Sequence, residues 1–337
     1  MKVVRSIGDF KRTKKSCVLT VGNFDGVHVG HQGILRLARQ LAQDRAADMV
    51  VITFEPHPVT VLHPEKAPGV LTPLPLKLHL LQRYAEACVL VIESDRHLLA
   101  MSPEDFVGQL IVRKFRPDVI VEGEDFHFGA KRGGDIETLR NLGRRKGFEV
   151  EVVPSRHIAL GTGQLIRVSS TMIRYMIESG HVSDAAMALS RPYRLMGRVF
   201  CGKGRGRQLG FPTVNMQEPR QVIPAEGVYA GFVETADSAQ QLLDKNENIP
   251  AVFSLGKART FGDEHPLLIE AHFLINNVGD MTNKWLSMDF VQRLRSQHKF
   301  SSPKELADQI AKDCVAARSM LTAASSSGRG AELNREQ

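Results

Sequence analysis

A chain of 337 residues exceeds what one hydrophobic core of ordinary size organises, so two domains are expected. Its 42% hydrophobic and 24% charged residues are a globular composition, and no apolar run reaches the ~18 residues of a membrane-spanning helix. The net charge of +7 fits a phosphate-bearing partner.

Basic residues gather beside glycines, at Lys131 and Arg132 and at Lys203, Arg205 and Arg207, and form no stripe interleaved with aromatics. This favours phosphorylated small molecules over nucleic acid. Cys17, Cys88, Cys201 and Cys314 form no CxxC pair, and no apolar core follows the basic N-terminal residues before Ser16. Free thiols, a cytoplasmic location and no secretory leader are expected.

In chain order, Cys17–Val21 reads as a strand, followed by a Gly-rich loop and a helix whose apolar face is Ile34, Leu37, Ala38, Leu41 and Ala42. Met49–Phe54, Val89–Ile92, Val119–Val121 and Glu149–Val153 read as further buried strands. Between them, Ser102 and Pro103 open a helix to about Lys114, and another runs from Asp135 to Lys146, stopped by Gly147. This alternation predicts an α/β domain over 1–187 with a doubly wound parallel sheet. From Leu195 the segments become short and β-rich, which predicts a small antiparallel β-barrel over 188–322. A C-terminal helix follows, capped by Ser302, Pro303 and Glu305, with Cys314 on its core stripe. The polar segment 323–337 reads as disordered.

The first loop, Gly22-Asn23-Phe24-Asp25-Gly26-Val27-His28-Val29-Gly30-His31, joins a strand to a helix and would lay backbone N–H groups against a phosphate. His28 and His31 fall near the first helical turn, where both can donate to one phosphoryl group as adenylyl transfer requires. A metal site or a simple helix cap is the alternative, with Asp25 the nearest acid. Ser169–Thr171 with Arg174 one turn further reads as a second anion clamp, the alternative being that Ser169 is simply a helix N-cap.

These stretches resemble the prokaryotic bifunctional riboflavin kinase/FMN adenylyltransferase (FAD synthetase) family, within the HxGH nucleotidylyltransferases. Thr53-Phe54-Glu55-Pro56-His57-Pro58 is similar to its TFxPHP segment, Val121–Gly129 to VGxDFxFG, and Ser169–Arg174 to SSTxIR. The resemblance implies that His28 and His31 contact ATP phosphates, with Gly22, Phe24 and Gly30 in the nucleotide pocket. It also implies that Ser170, Thr171 and Arg174 hold pyrophosphate and that Pro58 and Asp125 face flavin. His57 and His127 are either site or packed loop histidines.

In the second half, Gly197 to Lys203 spells GxxxxGK, but Gly204 stands where a P-loop needs Ser or Thr and no helix follows. What remains is a cationic, glycine-dense loop including Gly204 and Arg207, suited to fold over the triphosphate of ATP. Thr213 and Asn215 alternate on one side of a strand, as two oxygen ligands for Mg²⁺ would. The stretch 205–215 resembles the riboflavin kinase motif GRxLGFPTAN, and Glu270-Ala271-His272 its ExH, whose glutamate takes the proton of the ribityl hydroxyl.

The chain departs from that pattern at Arg259, where proline is usual, at Ser190-Arg191-Pro192-Tyr193 for GRPY, and at Asp280-Met281-Thr282-Asn283 for DLYG. The expected function is therefore riboflavin phosphorylation to FMN followed by adenylylation to FAD. Riboflavin, FMN and ATP are the partners, neither nucleic acid nor membrane is one, and a homo-oligomer is compatible with the sequence. The alternatives are FMN adenylyltransferase alone, with the barrel a flavin-binding module, or a non-catalytic flavin- or RNA-binding regulator.

Overall fold

Apolar runs in the first half become the strands of a parallel sheet, because helices cover both of its faces. The computed structural model describes residues 2–332 except 12, 15, 86, 201–205, 207–208, 258–266 and 276–277. Gly204, Arg207 and Arg259 thus lie outside the described residues. Two units result, Met1–Ser170 and Thr171–Gln337.

The first unit holds β1 (Lys2–Val4), β2 (Cys17–Val21), α1 (Val29–Asp44), β3 (Asp48–Glu55), α2 (Pro58–Leu62), α3 (Leu74–Tyr84), β4 (Cys88–Glu93) and α4 (Arg96–Leu99). Next come α5 (Pro103–Asp105), a π-helical stretch (Phe106–Val112), α6 (Arg113–Phe115), β5 (Val119–Gly123), α7 (Ile136–Lys146) and β6 (Glu149–Val153). A hairpin of β7 (His157–Ala159) and β8 (Leu165–Arg167) closes the unit. The parallel sheet has the order β1-β4-β3-β2-β5-β6. Its chain winds outward from β2 through β3 and β4, then returns to β5 and β6 on the other side. The reversal leaves a crevice at the C-terminal ends of β2 and β5, the place where such sheets bind ligands.

The predicted strands coincide with β2 to β6. Ser102 caps α5, accepting from the Asp105 N–H at 3.1 Å, with Pro103 in the first turn. Asp135 caps α7, and Gly147 ends it in the left-handed region at φ 82°. Sequence patterning missed β1, α3 and the β7–β8 hairpin.

In the second unit, α8 (Ser170–Glu178) and α9 (Val182–Leu189) precede β9 (Tyr193–Phe200), β10 (Val214–Met216), β11 (Gly227–Ala236), α10 (Ala239–Leu243), β12 (Ile249–Lys257), β13 (Leu267–Phe273), β14 (Trp285–Arg295) and α11 (Pro303–Glu332). The strands close an antiparallel barrel in the order β10-β13-β12-β11-β14-β9. The division at Ser170 falls earlier than residue 187 because α8 and α9 belong with the barrel. The Ala225 N–H donates to the Ile177 carbonyl at 3.2 Å, and α9 packs on β9 and β14.

Tyr229, Phe253 and Phe290 fill the barrel, with ring centroids 4.9–5.3 Å apart. Cys314 is in the core with Ala317 and Leu321, as its stripe predicts. Arg295 and Asp313 tie α11 to β14 through three bonds of 2.8–3.1 Å. The helix extends to Glu332, so the segment expected to be disordered from 323 begins as helix. Ala323 and Ala324 are strong helix formers, and no proline interrupts the last turns.

Gly231 on β11 permits the tightest approach in the barrel: a Cβ there would overlap the Asp289 carbonyl oxygen and the Phe253 ring. Gly231→Ala should destabilise this unit by at least about 2 kcal/mol. Calorimetry should show a fall of its unfolding midpoint by roughly 4 °C or more.

Candidate active sites

The loop between β2 and α1 carries three positive φ angles, at Phe24 (47°), Gly26 (87°) and Val27 (41°). It is held from outside by residues 71–77. The Asp25 carboxylate accepts from the Leu71 N–H at 3.0 Å, the Thr72 N–H at 2.9 Å and the Thr72 hydroxyl at 3.1 Å. The same hydroxyl accepts from the Gly26 N–H at 3.0 Å. The Asn23 carbonyl accepts from the Thr53 hydroxyl at 3.1 Å and the Lys77 ammonium at 3.3 Å. Asp25, the acid nearest the histidines in sequence, is therefore committed to shaping the loop.

So held, the loop sets His28 as the N-cap of α1, its Nδ1 accepting from the His31 N–H at 3.4 Å. With Nδ1 accepting, the ring's Nε2 is the nitrogen that carries a proton. The two imidazoles stack with centroids 3.6 Å apart. A Cβ at Gly30 would press within 3.1 Å of the His28 ring, so glycine leaves that ring its place. His31 Nδ1 is enclosed without a hydrogen-bond partner. Burial, helped by the Lys77 charge, lowers the His31 pKa from 6.5 to about 3, so this imidazole is neutral.

His28, Gly30, His31, Asp125, Arg156 and Ser170 line a cleft of about 190 Å³ over the sheet's crevice. That is less than the roughly 300–1,000 Å³ of a pocket enclosing a whole small ligand, and it suits the phosphate end of a nucleotide. Ser170 Oγ donates to the Asp25 carbonyl at 2.8 Å, and Arg167 reaches Asp125 at 3.9 Å.

The other expected residues stand apart. Phe24 is buried in the core against Gly22 and, edge-on, His31. Neither Gly22 nor Phe24 lines the cleft; both support its wall. Pro58 starts α2, where His57 is a helix cap accepting from the Val59 N–H. His127 bonds within its own loop, to the Asp125 carbonyl at 2.8 Å. Thr171 and Arg174 lie on α8 in the second unit.

Sequence reading missed Thr72, Lys77, Glu122 and Arg156. Lys77 shares the buried face of α3, a helix that reads as ordinary packing, with Leu76, Leu80 and Leu81. Glu122 is buried on β5 and accepts from the Val21 N–H at 2.7 Å. Burial pushes its carboxyl well above the ordinary range, which disfavours the charged form.

In the barrel, Asn215, Glu270 and Ser254 sit directly opposite one another on β10, β13 and β12, which places them in a row on one face. Thr213 Oγ1 donates to Glu270 Oε1 at 3.4 Å, bringing together the three residues expected there. Gln297, also missed, donates to Ser254 Oγ at 2.9 Å. His272 holds the Pro212 carbonyl at 2.8 Å and its ring lies 5.5 Å from Phe211.

Thr213, Asn215 and Glu270 form an oxygen-only set that suits a hard divalent cation shared with phosphates. Among the described residues there is no group of three or more His, Cys, Asp or Glu that could hold a metal. The 280–283 segment forms a turn in this chain. Asp280 accepts from the Thr282 N–H at 2.9 Å, and Asn283 takes a φ of 60°, which asparagine tolerates better than most residues.

A parallel nucleotide-binding sheet with paired imidazoles at its switch point, joined to a barrel bearing a carboxylate and neutral oxygens, defines a two-site nucleotide-using enzyme. The chain belongs to the bifunctional riboflavin kinase/FMN adenylyltransferase family. Residues 10–172 match the FAD synthetase family model and residues 189–321 the riboflavin kinase model. It is 34% identical to the bifunctional riboflavin kinase/FMN adenylyltransferase of Escherichia coli K12, over 94% of this chain and 97% of that one. It is 33% identical to the Pseudomonas fluorescens protein of the same name, covering 95% and 98%. A solved Streptococcus pneumoniae structure described as a macrolide-efflux protein is 27% identical, covers 94% of this chain and 98% of that chain, and superposes with a TM-score of 0.79. Among the described residues of this chain, no helix is long and apolar enough to cross a membrane.

The His31 ring is neutral when folded and protonates freely when unfolded. Stability is therefore full above pH 6.5 and falls as pH drops through that value toward about 3. Between pH 7 and pH 5 the protein should lose roughly 1–2 kcal/mol more stability than His31→Leu, measured by denaturant unfolding at both pH values.

Proposed function

We infer that the barrel phosphorylates riboflavin with ATP and that the α/β unit joins the resulting FMN to AMP, releasing pyrophosphate. The observation that carries the second step is the pair of stacked imidazoles at the start of α1, His28 capping the helix and His31 in its first turn, over the crevice. In adenylyl transfer an FMN phosphate oxygen attacks the α-phosphorus of ATP as the bond to the β-phosphate oxygen breaks. Charge moves onto the departing pyrophosphate. Nε2–H of His28, with the N–H groups of the α1 terminus, is placed to stabilise it without a covalent enzyme intermediate. His31 serves as an uncharged neighbour that orients the His28 ring. By the family pattern Ser170, Thr171 and Arg174 hold the pyrophosphate, and Asp125 and Pro58 face flavin.

In the barrel, Glu270 is the base that takes the ribityl hydroxyl proton as the γ-phosphoryl group is transferred. Thr213 and Asn215, with Glu270, are the groups we assign to Mg²⁺. When bound, the cation neutralises charge on the transferring phosphates. Thr213 holds Glu270 in place before substrate arrives. The match of residues 189–321 to the riboflavin kinase model and the bifunctional relatives support two activities over adenylyl transfer alone. Phosphorylated small-molecule substrates and cysteines with no CxxC spacing make the cytoplasm the compartment we assign.

Incubation of the purified chain with riboflavin, ATP and Mg²⁺, followed by separation of flavins, should yield FMN and then FAD. Neither product under oxidising or reducing conditions would sink the proposal, while FAD from supplied FMN but none from riboflavin would leave the adenylyltransferase alone. His28→Ala should lower FAD formation on the order of 10²–10³-fold and leave riboflavin phosphorylation within about two-fold. Glu270→Gln should do the reverse, losing on the order of 10²-fold or more in phosphorylation alone. In a magnesium titration, Asn215→Ala should raise the concentration needed for half-maximal FMN formation by about ten-fold, and excess chelator should stop it.

A further inference from the structure

Lys77 is only 5% exposed, yet it carries an ammonium into the wall behind the 22–31 loop. Its Nζ donates to the carbonyls of Asn23 and Phe54, each at 3.3 Å, and lies 3.8 Å from Glu55 Oε2. These partners belong to two different stretches: Asn23 to the loop that carries the histidines, Phe54 and Glu55 to the end of β3. Burying an ammonium costs several kcal/mol unless its protons are matched, and three acceptors converge on this one. Burial lowers its pKa, with Glu55 and Asp25 opposing the shift. The adjoining loop holds Phe24 and Val27 in left-handed backbone, where a fixed carbonyl at Asn23 sets the direction of the turn.

We propose that Lys77 is a positioning residue for adenylyl transfer, one ammonium locking the loop at Asn23 to the end of β3 and standing as a fixed positive charge behind His31. The proposal rests on the reading of this loop as the adenylyl-transfer site. Lys77 acts on the reaction through the loop, and it makes no contact with substrate. The geometric part sets where the His28 ring and the α1 terminus meet the phosphates. The electrostatic part keeps His31 neutral, because a second positive charge next to the ammonium is unfavourable. The titratable and charged groups around His31 are His28 on its own loop, Lys77 with Glu55 behind it, Asp25 in the loop, and Asp125 and Arg156 across the cleft. Of these, Lys77 is the one whose charge depresses the His31 pKa, after burial itself.

The test uses the full-length chain with FMN, ATP and Mg²⁺, comparing wild type, Lys77→Met and Lys77→Arg. Three quantities are read: kcat and KM for FAD formation, riboflavin phosphorylation as the check on integrity, and the His31 ring titration by nitrogen-edited NMR. Lys77→Met should lower kcat on the order of 10²-fold, with KM for ATP changed less than about three-fold and phosphorylation unaltered. Its His31 midpoint should rise above about 3 while burial still holds it below 6.5. Lys77→Arg keeps the charge but not the single-point geometry. It should leave His31 titrating as in wild type and lose on the order of ten-fold in kcat, which keeps the proposal testable should the Met variant not fold. A Met or Arg variant with wild-type kcat overturns the proposal. So does a loss of FAD formation that tracks a fall in unfolding midpoint while the His31 titration of Lys77→Met stays where it was. Failure of the wild type to make FAD would instead remove the adenylyl-transfer reading itself.

Discussion

Phe24 and Val27 hold left-handed backbone in the turn from β2 into α1, and the first unit is organised around keeping them there. Such a conformation costs of order 1–3 kcal/mol for each non-glycine residue, and a β-branched valine is among the least suited to it. The strain is offset by hydrogen bonds from one seven-residue stretch. Leu71 and Thr72 saturate Asp25, and Lys77 fixes Asn23. Between them the strained residues have little room to relax. The turn brings the strand's end directly into the helix, so that the first-turn imidazoles stand over the crevice at the centre of the sheet.

The parts of this arrangement that were legible in sequence are those with a local signature. The strand–glycine–helix alternation marked β2 to β6. Ser102, Asp135 and Ser302 each cap the helix expected of them, and His28 and His31 meet because their separation of three residues spans one turn. Asn215 was legible from its alternation with Thr213 and Glu270 only as a family motif, and their pairing joins positions 55 residues apart in the chain. What stayed hidden has no local period. Lys77 sits in an apolar helix that reads as ordinary packing, and Asp25 reads as a metal ligand or a turn acid until Thr72 is beside it. The β7–β8 hairpin has only three residues in each strand, too few for an alternation to show. Strand β14 runs from Trp285 to Arg295 and bears mixed polar residues, because part of it faces outward and part supports the Arg295–Asp313 tie.

The two sites solve opposite electrostatic problems. On the reading proposed above, the barrel uses a carboxylate as base among neutral oxygens, while the sheet's crevice receives the phosphates themselves. At the crevice His31 is neutral, the helix terminus offers partial charge, and Arg156 in the lining supplies a guanidinium. A full charge on each stacked ring would set two cations 3.6 Å apart, and the stack itself would open. Neutrality at His31 is thus a condition of the geometry as well as of the chemistry.

The same logic extends below the crevice. Strands β2 and β5 are in register only at Val18 with Val119 and Leu19 with Ile120, after which they part. The Val21 N–H would be left without a partner there, and the Glu122 side chain fills the gap from β5. Burial raises the Glu122 pKa and so disfavours its charged form, while its oxygen completes the hydrogen bonding of the parted strands. The two buried groups are thus matched in kind: the Lys77 ammonium meets two carbonyls and a carboxylate, and the Glu122 carboxyl meets a backbone N–H.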